Sequence, residues 1–483
     1  MPCSLCYAAR RLGGFLVVLA SCAVPLHAQS SPSSTSQVTQ EAALAALALA
    51  QQLDAYVQQF VQAGLFNGTV LVADQGQVIL QRGYGLADRA RHRPNTPDTR
   101  FHIGSLTKQF TAALVLRLVE QGRLRLAGTV ADYLPDYPAT GRQLTLHQLL
   151  SHTSGLPDYT HLPTAAVSLA MPQTPTQLLA LFAPLPLEFA PGTQFRYSNS
   201  NYVLLGAILE RVSGQPYAQL VHRYLAQPAH LVATAYGPTW PTGASYAQAY
   251  AVDLQDAPPI SPTVAYAAGG LTASATDLYR WSQALGTDRV LSPTSQRVLF
   301  TPGRAQYAYG WSVFKTTIGA DSVLIQEHNG AINGFTSYLI RAPERRQTIV
   351  LLDNHSSPAL PELRRGLLRL LAHLPALPLS SAAVARPTTS GGAAVPPSEA
   401  LLCTYVGVYE LAPTFRITIR QRAGQLFAQA TGQGEFATVA TSPSLFTLQG
   451  VAAQLEFRAN GQGQVVSLVL HQGGRDTPAL KIE

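Results

Sequence analysis

Three observations predict an α+β protein: an antiparallel sheet flanked by helices and interrupted by a large, mostly helical insertion, followed by a small all-β domain. Short apolar strands with turn residues between them occur near residue 70 and again between 309 and 353. The stretch from about 105 to 300 carries helical periodicity. After a Pro-, Ala-, Ser- and Gly-rich stretch, apolar residues alternate with polar ones to the end of the chain.

The N-terminus reads as an export signal over 1–28. Arg10 and Arg11 precede an apolar run from Leu12 to Leu19, and Leu26-His27-Ala28 before Gln29 suits a signal peptidase. The run is too short to stop transfer across a bilayer. Leu19-Ala20-Ser21-Cys22 has the form of a lipobox, so the alternative to a periplasmic or secreted protein is a lipoprotein anchored at Cys22, the one route to a membrane. Cys3, Cys6 and Cys22 fall in this region, leaving Cys403 without an intramolecular disulfide partner after cleavage at Ala28. Stability must then come from a core, and 483 residues with 47% hydrophobic side chains supply a large one.

Residues 29–40 read as a polar, disordered tether, and the domain from 41 to 374 follows. Leu53, Tyr56, Val57, Phe60 and Val61 share one helix face, and Thr69 to Ala73 with Val78 to Gln81 form a hairpin around Asp74-Gln75-Gly76. Leu106, Phe110, Ala113, Leu114 and Leu118 then run at helical spacing to a stop at Gly122, with Ser105 opening the helix. Strands return at Tyr309 to Phe314, Val323 to Gln326, Phe335 to Arg341 and Thr348 to Asp353. A linker spans 375–400, and in the domain 401–483 Phe415, Ile417 and Ile419, then Leu455 and Phe457, then Val466, Leu468 and Leu470 alternate, with turns at Ala423-Gly424 and Asn460-Gly461. That is the pattern of a small antiparallel sheet or barrel.

Chemistry is signalled first by lysine usage. The chain holds three lysines, Lys108, Lys315 and Lys481, against thirty arginines. Lys108 closes Ser105-Leu106-Thr107-Lys108, where an amine one helical turn from a hydroxyl can act as its base; a guanidinium does not deprotonate. Tyr197-Ser198-Asn199 places a phenol and an amide together on a loop before the helical stretch Val203 to Val212. A phenol near cationic Lys108 is expected to have a lowered pKa and to shuttle the serine proton. His328-Asn329-Gly330-Ala331 lies between two candidate strands, where glycine admits a substrate backbone and the Ala331 amide joins that of Ser105 as an oxyanion hole. Each motif has a plain alternative: an N-capping serine beside an exposed lysine, a Ser- and Asn-rich turn, and a surface histidine. Lys315-Thr316-Thr317 competes for the third motif but lacks a glycine, and His152 reads as a hydrogen-bonded loop anchor.

Taken together and in order, these motifs resemble the serine β-lactamase-like superfamily: class C β-lactamases, D,D-peptidases, D-aminopeptidases and related esterases. The resemblance covers roughly 45 to 370 and extends to Phe101-His102-Ile103-Gly104-Ser105, Leu149-Leu150-Ser151-His152-Thr153-Ser154-Gly155-Leu156, Pro191-Gly192 and Ala268-Gly269-Gly270-Leu271. It implies the β-lactamase/transpeptidase-like fold, Ser105 as nucleophile, Lys108 and Tyr197 as general-base pair, Asn199, His328 and Gly330 as substrate-binding residues, and acylation of Ser105 followed by hydrolysis. Tyr405-Val406-Gly407-Val408-Tyr409-Glu410 resembles the start of lipocalin-like modules appended to such hydrolases. Where β-lactamases present Lys-Thr-Gly, this chain has His-Asn-Gly, exchanging a permanent cation for a titratable imidazole. The expected substrates are therefore an ester, an amide or a D-amino-acid peptide. A β-lactamase or D,D-carboxypeptidase is the alternative, and a non-catalytic cell-wall-binding protein is a second.

Other classes find no motif. H-E-x-x-H, Walker A and G-x-S-x-G are absent, Gly243-Ala244-Ser245-Tyr246-Ala247 lacking the final glycine of the last. No metal and no cofactor is implied, the twelve histidines being scattered. The net charge of +7, or +5 without Arg10 and Arg11, forms no basic run, so the partner is a small-molecule or peptide substrate and not a nucleic acid. Oligomeric state has no signature in the sequence.

Overall fold

The structure, a computed structural model, describes residues 34–162, 171–379 and 398–483, short loop stretches within them such as 240–242, 432–434 and 449–452 excepted. The expected signal region 1–28, residues 29–33 of the tether, positions 380–397 of the linker and the turn residues Ala423 and Gly461 lie outside the described residues. The chain forms two compact units, Met1–Ala46 and Leu47–Glu483. Helix α1 runs Ser34–Gln62, so positions 34–40, expected as disordered tether, are helical: the Ala- and Leu-rich segment after them propagates a helix back through the polar residues.

Strands β1 (Gly68–Asp74), β2 (Gln77–Tyr84), β3 (Ser312–Ile318), β4 (Asp321–Ile332), β5 (Phe335–Ala342) and β6 (Gln347–Asp353) make one antiparallel sheet, ordered β2-β1-β6-β5-β4-β3. The N-terminal hairpin joins the C-terminal strands through β1 and β6, with Gly68 opposite Asp353 and Ala73 opposite Thr348. Alternation in β1 divides the core. Val70 and Val72 face α1 (Leu53, Tyr56, Val57, Phe60) and α5 (Leu360–Leu371), whereas Leu71 and Ala73 face the helical insertion. That insertion is centred on α2 (Thr107–Glu120), buried nearly throughout, where Phe110 stacks on Trp281 with centroids 4.3 Å apart. Helices α3 (Asn199–Ser213) and α4 (Pro262–Gly269) pack against it.

One strand differs from expectation. The strand expected at Val323 to Gln326 does not end there: β4 continues through His328-Asn329-Gly330-Ala331 to Ile332, pairing Asn329 with Tyr338, Gly330 with Ser337 and Ala331 with Thr336, so His328 and Gly330 lie on a strand as the resemblance implied. Ladder hydrogen bonds to β5 outweigh the weak strand propensity of Asn and Gly.

Residues 407–481 close into an eight-stranded antiparallel barrel, from Gly407–Ala412 to Arg475–Lys481. Its interior is filled by side chains: Tyr405 stacks on Phe457 at 4.2 Å, and Leu402, Tyr409, Phe446, Leu455 and Leu468 complete the cluster. A short helix, Glu399–Tyr405, contributes Leu402 and Tyr405 to that filling. Cys403, on the same helix, is exposed.

Candidate active site

Ser105 stands in a single 3-10 turn, Gly104–Leu106, that feeds into α2, and its side chain caps nothing. The turn is pressed against β4. Gly104 has φ +51°, and a Cβ there would lie 2.8 Å from the Ala331 amide nitrogen; a Cβ on Gly330 would lie 2.0 Å from the Ile103 carbonyl oxygen. Both glycines are required by this approach. Ser337 Oγ reinforces it, donating to the Ile103 carbonyl at 2.9 Å. Strand β3 pairs with β4 only as far as Glu327, so among the described residues His328 to Ile332 carry no strand partner on that side and form an open edge beside Ser105.

Lys108 is wholly buried. Its Nζ donates to Asn199 Oδ1 at 2.8 Å and to the Ala268 carbonyl at 2.7 Å, and lies 3.1 Å from Ser105 Oγ. The ring of Tyr197 lies beneath it at 4.8 Å and that of Tyr202 at 5.6 Å. Burial pulls the amine down to about 7, against an opposing pull from the charge of Asp158. Two of its partners, the Ala268 carbonyl and Asn199 Oδ1, only accept hydrogen bonds. A neutral amine therefore spends both hydrogens on them, and its lone pair is left for the Ser105 hydroxyl.

The phenol of Tyr197 departs from the expected lowering. Burial pushes it well up, only partly offset by Ser105, and its hydroxyl, near Ser105, has no well-formed hydrogen bond. The cation sits over the ring face and not at the oxygen, so desolvation wins.

His152 is the anchor it was expected to be. Its Nδ1 accepts from the Ser198 amide at 3.2 Å and faces Asn201 Nδ2 at 3.0 Å, while its carbonyl accepts from the Arg196 amide, so it holds both sides of Tyr197. Two N–H donors on Nδ1 require a neutral ring, and burial keeps it so by lowering its pKa well below 6.5. His328 Nδ1 donates to the Asn329 carbonyl at 2.5 Å, which leaves Nε2 to accept from the Tyr307 hydroxyl at 3.1 Å. Burial and Lys108 lower its pKa to about 4. The imidazole is thus neutral at physiological pH. Lys315 is exposed on the edge strand β3.

The structure therefore gathers Ser105, Lys108, Tyr197, Asn199, His328, Gly330 and Ala331 around one open strand edge. Sequence reasoning missed Tyr307, Asp158 and the role of the Ala268 carbonyl, although Ala268-Gly269-Gly270-Leu271 and the Leu156-Pro157-Asp158 stretch stood beside quoted motifs. Among the described residues no group of three or more His, Cys, Asp or Glu side chains is arranged to hold a metal ion.

Residues 53–374 match the Beta-lactamase family. The chain belongs to that family. Residues 393–481 match a domain of unknown function, DUF3471, which spans the barrel. Penicillin-binding protein 4* of Bacillus subtilis (strain 168) is 28% identical over 440 residues, covering 86% of this chain and 95% of its own. Among solved structures, SurE with D-Leu is 25% identical with a TM-score of 0.56, covering 91% of this chain and 99% of that one. A D-stereospecific amidohydrolase from Streptomyces sp. is 27% identical with a TM-score of 0.53, covering 64% and 94%. The chain is a serine hydrolase of the β-lactamase and penicillin-binding-protein type.

Proposed function

We propose that this hydrolase forms an acyl-enzyme on Ser105 with Lys108 as base, and that its substrates are esters, amides or D-amino-acid peptides. The observation that carries the reading is the buried Lys108 amine, whose two obligate acceptors leave its lone pair facing Ser105 Oγ at 3.1 Å. In acylation the amine takes the Ser105 proton, Ser105 Oγ bonds to the substrate carbonyl carbon, and the resulting oxyanion meets the amides of Ser105 and Ala331. Tyr197, held protonated by burial near Ser105, gives its proton to the leaving group and recovers the one that Lys108 removed. Water then hydrolyses the ester.

The substrate class follows from His328. A neutral imidazole tied to Tyr307 offers no permanent charge to the carboxylate of a β-lactam, so penicillins acylate Ser105 and turn over slowly. The D-amino-acid reading draws support from the likeness to the D-stereospecific amidohydrolase and to SurE with D-Leu. Export, periplasmic or secreted, rests on the sequence of residues 1–28, with lipidation at Cys22 as the alternative.

Intact-mass spectrometry of the mature protein with a fluorophosphonate, p-nitrophenyl acetate and a penicillin, compared with Ser105→Ala, tests the reading. An adduct that persists with penicillin and turns over with the ester is expected. No adduct from any of the three would remove Ser105 as nucleophile and favour a binding protein, and rapid penicillin turnover would overturn the substrate class.

A further inference from the structure

We propose that Asp158 is a positioning residue, which locks the side-chain amide of Asn199 with its oxygen toward Lys108 and so directs the lysine lone pair onto Ser105. This rests on Lys108 serving as the base. Asp158 is 8% exposed and 41 residues from Asn199 in sequence. Its Oδ2 accepts from Asn199 Nδ2 at 3.0 Å and from the Asn199 amide at 3.2 Å, and its Oδ1 accepts from the Thr160 amide at 3.0 Å and from Thr160 Oγ1 at 2.8 Å. Both oxygens are thus fully engaged at the start of the turn Tyr159–His161.

The argument is one of hydrogen-bond polarity. A carboxylate only accepts, so the NH2 group of Asn199 must face Asp158 and its Oδ1 must face Lys108. With the amide reversed, an oxygen would abut the carboxylate and an NH2 group would point at the lysine. Lys108 would lose an obligate acceptor, one of its hydrogens would turn to Ser105 Oγ, and the lone pair would no longer be aimed. A carboxylate suits position 158 because Oδ2 must accept from Asn199 while Oδ1 accepts from the Thr160 amide, and an amide side chain there would turn an NH2 group against one of these donors.

Among the described residues, Asp158 is also the one carboxylate whose charge acts on Lys108. The other groups that act on the amine, His152, His328, Tyr197 and Tyr202, are held neutral by burial. Its negative charge favours the protonated amine, so removing it lets Lys108 lose its proton at lower pH.

The test is Asp158→Asn in the full-length mature protein with p-nitrophenyl acetate. The acylation rate constant is expected to fall about 10- to 100-fold with KM changed less than about 3-fold, as for a misdirected reacting group, and the acidic limb of kcat/KM is expected to move to lower pH. The double variant with Asn199→Ala is expected to be no slower than Asn199→Ala alone, because Asp158 acts through that amide. Multiplying effects in the double variant, or an unmoved limb in a folded Asp158→Asn protein with unchanged acylation, would overturn the inference. Should Asp158→Asn fail to fold, Thr160→Val removes one donor from the same carboxylate and is expected to slow acylation about 2- to 5-fold at constant KM; an unchanged rate there would count against it. Fluorophosphonate labelling of Ser105 in the unmutated protein checks the underlying reading separately, so labelling together with an insensitive Asp158→Asn would sink only this inference.

Discussion

The hydrolase site and the C-terminal barrel are both built on antiparallel strands lined with aromatic rings, yet they bury opposite kinds of atoms. Around Ser105 the rings of Tyr197, Tyr202 and Tyr307 pack against an amine and two imidazoles, and the Asp158 carboxylate stands behind Asn199, each with a directed hydrogen-bond partner. In the barrel Tyr405, Tyr409, Phe446 and Phe457 enclose one another. The first arrangement costs desolvation and returns reactivity, while the second returns only stability. Substitutions in the two regions should therefore separate cleanly into losses of rate and losses of folding.

The largest expected effect is Lys108→Arg, which keeps the positive charge and removes the base. A guanidinium cannot deprotonate here, so kcat for p-nitrophenyl acetate should drop on the order of 10³-fold or more while the fold persists. A residual rate within 10-fold would break the comparison by showing that the buried amine is structural. Next is Gly330→Ala. The new Cβ would meet the backbone oxygen of Ile103 at 2.0 Å and cannot be accommodated by a side-chain rotation, so β4 must retreat from Ser105. A shift of this kind should cost about 10² in kcat/KM, checked by steady-state kinetics beside a thermal melt.

The barrel supplies the opposite outcome. Phe457→Ala should cost about 3 to 5 kcal/mol of stability in chemical unfolding, with kcat/KM per folded molecule unchanged. A matching loss of activity at full folding would show that the barrel takes part in the reaction.

Acid should unfold the site side preferentially. His328 has a folded pKa of about 4, and His152 lies well below 6.5. Between pH 6.5 and about 4 the unfolded chain binds protons at these rings and the folded protein does not. Stability is thus complete above 6.5 and falls with pH through that window, by up to about 1.4 kcal/mol per pH unit for each ring. His328→Gln should flatten the decline of Tm with pH; an identical slope would remove the imidazole from this account.

What could be read from the sequence follows from how local each interaction is. Ser105 and Lys108 are three apart on one helix, and the rarity of lysine marked the pair. The sheet halves were legible because period-2 patterning is local to each strand. Three things were not. The extension of β4 through His328-Asn329-Gly330 depends on pairing with β5, which residue propensity does not report. The pKa of Tyr197 was expected to fall because its cationic neighbour is visible in sequence, whereas the burial that outweighs it comes from packing. Asp158 and Tyr307 reach their partners across 41 and 21 residues, and a lone Asp or Tyr carries no pattern of its own.

The smallest effect is expected where the two regions meet. Phe436, on the barrel strand Glu435–Ala440, stands edge-on to the ring of His161, centroids 6.2 Å apart, three residues beyond Asp158. A ring pair at the surface contributes about 1 kcal/mol at most, because both faces keep access to water. Phe436→Ala should accordingly change kcat/KM for p-nitrophenyl acetate by less than about 3-fold. A small ester does not reach this contact, but a longer D-amino-acid peptide running along the open edge of β4 would extend the comparison outward. If Phe436→Ala raises KM for such a peptide and leaves the small ester untouched, the barrel acts as a wall of the outer cleft. Equal and small effects on both substrates would leave it a stabilising flank.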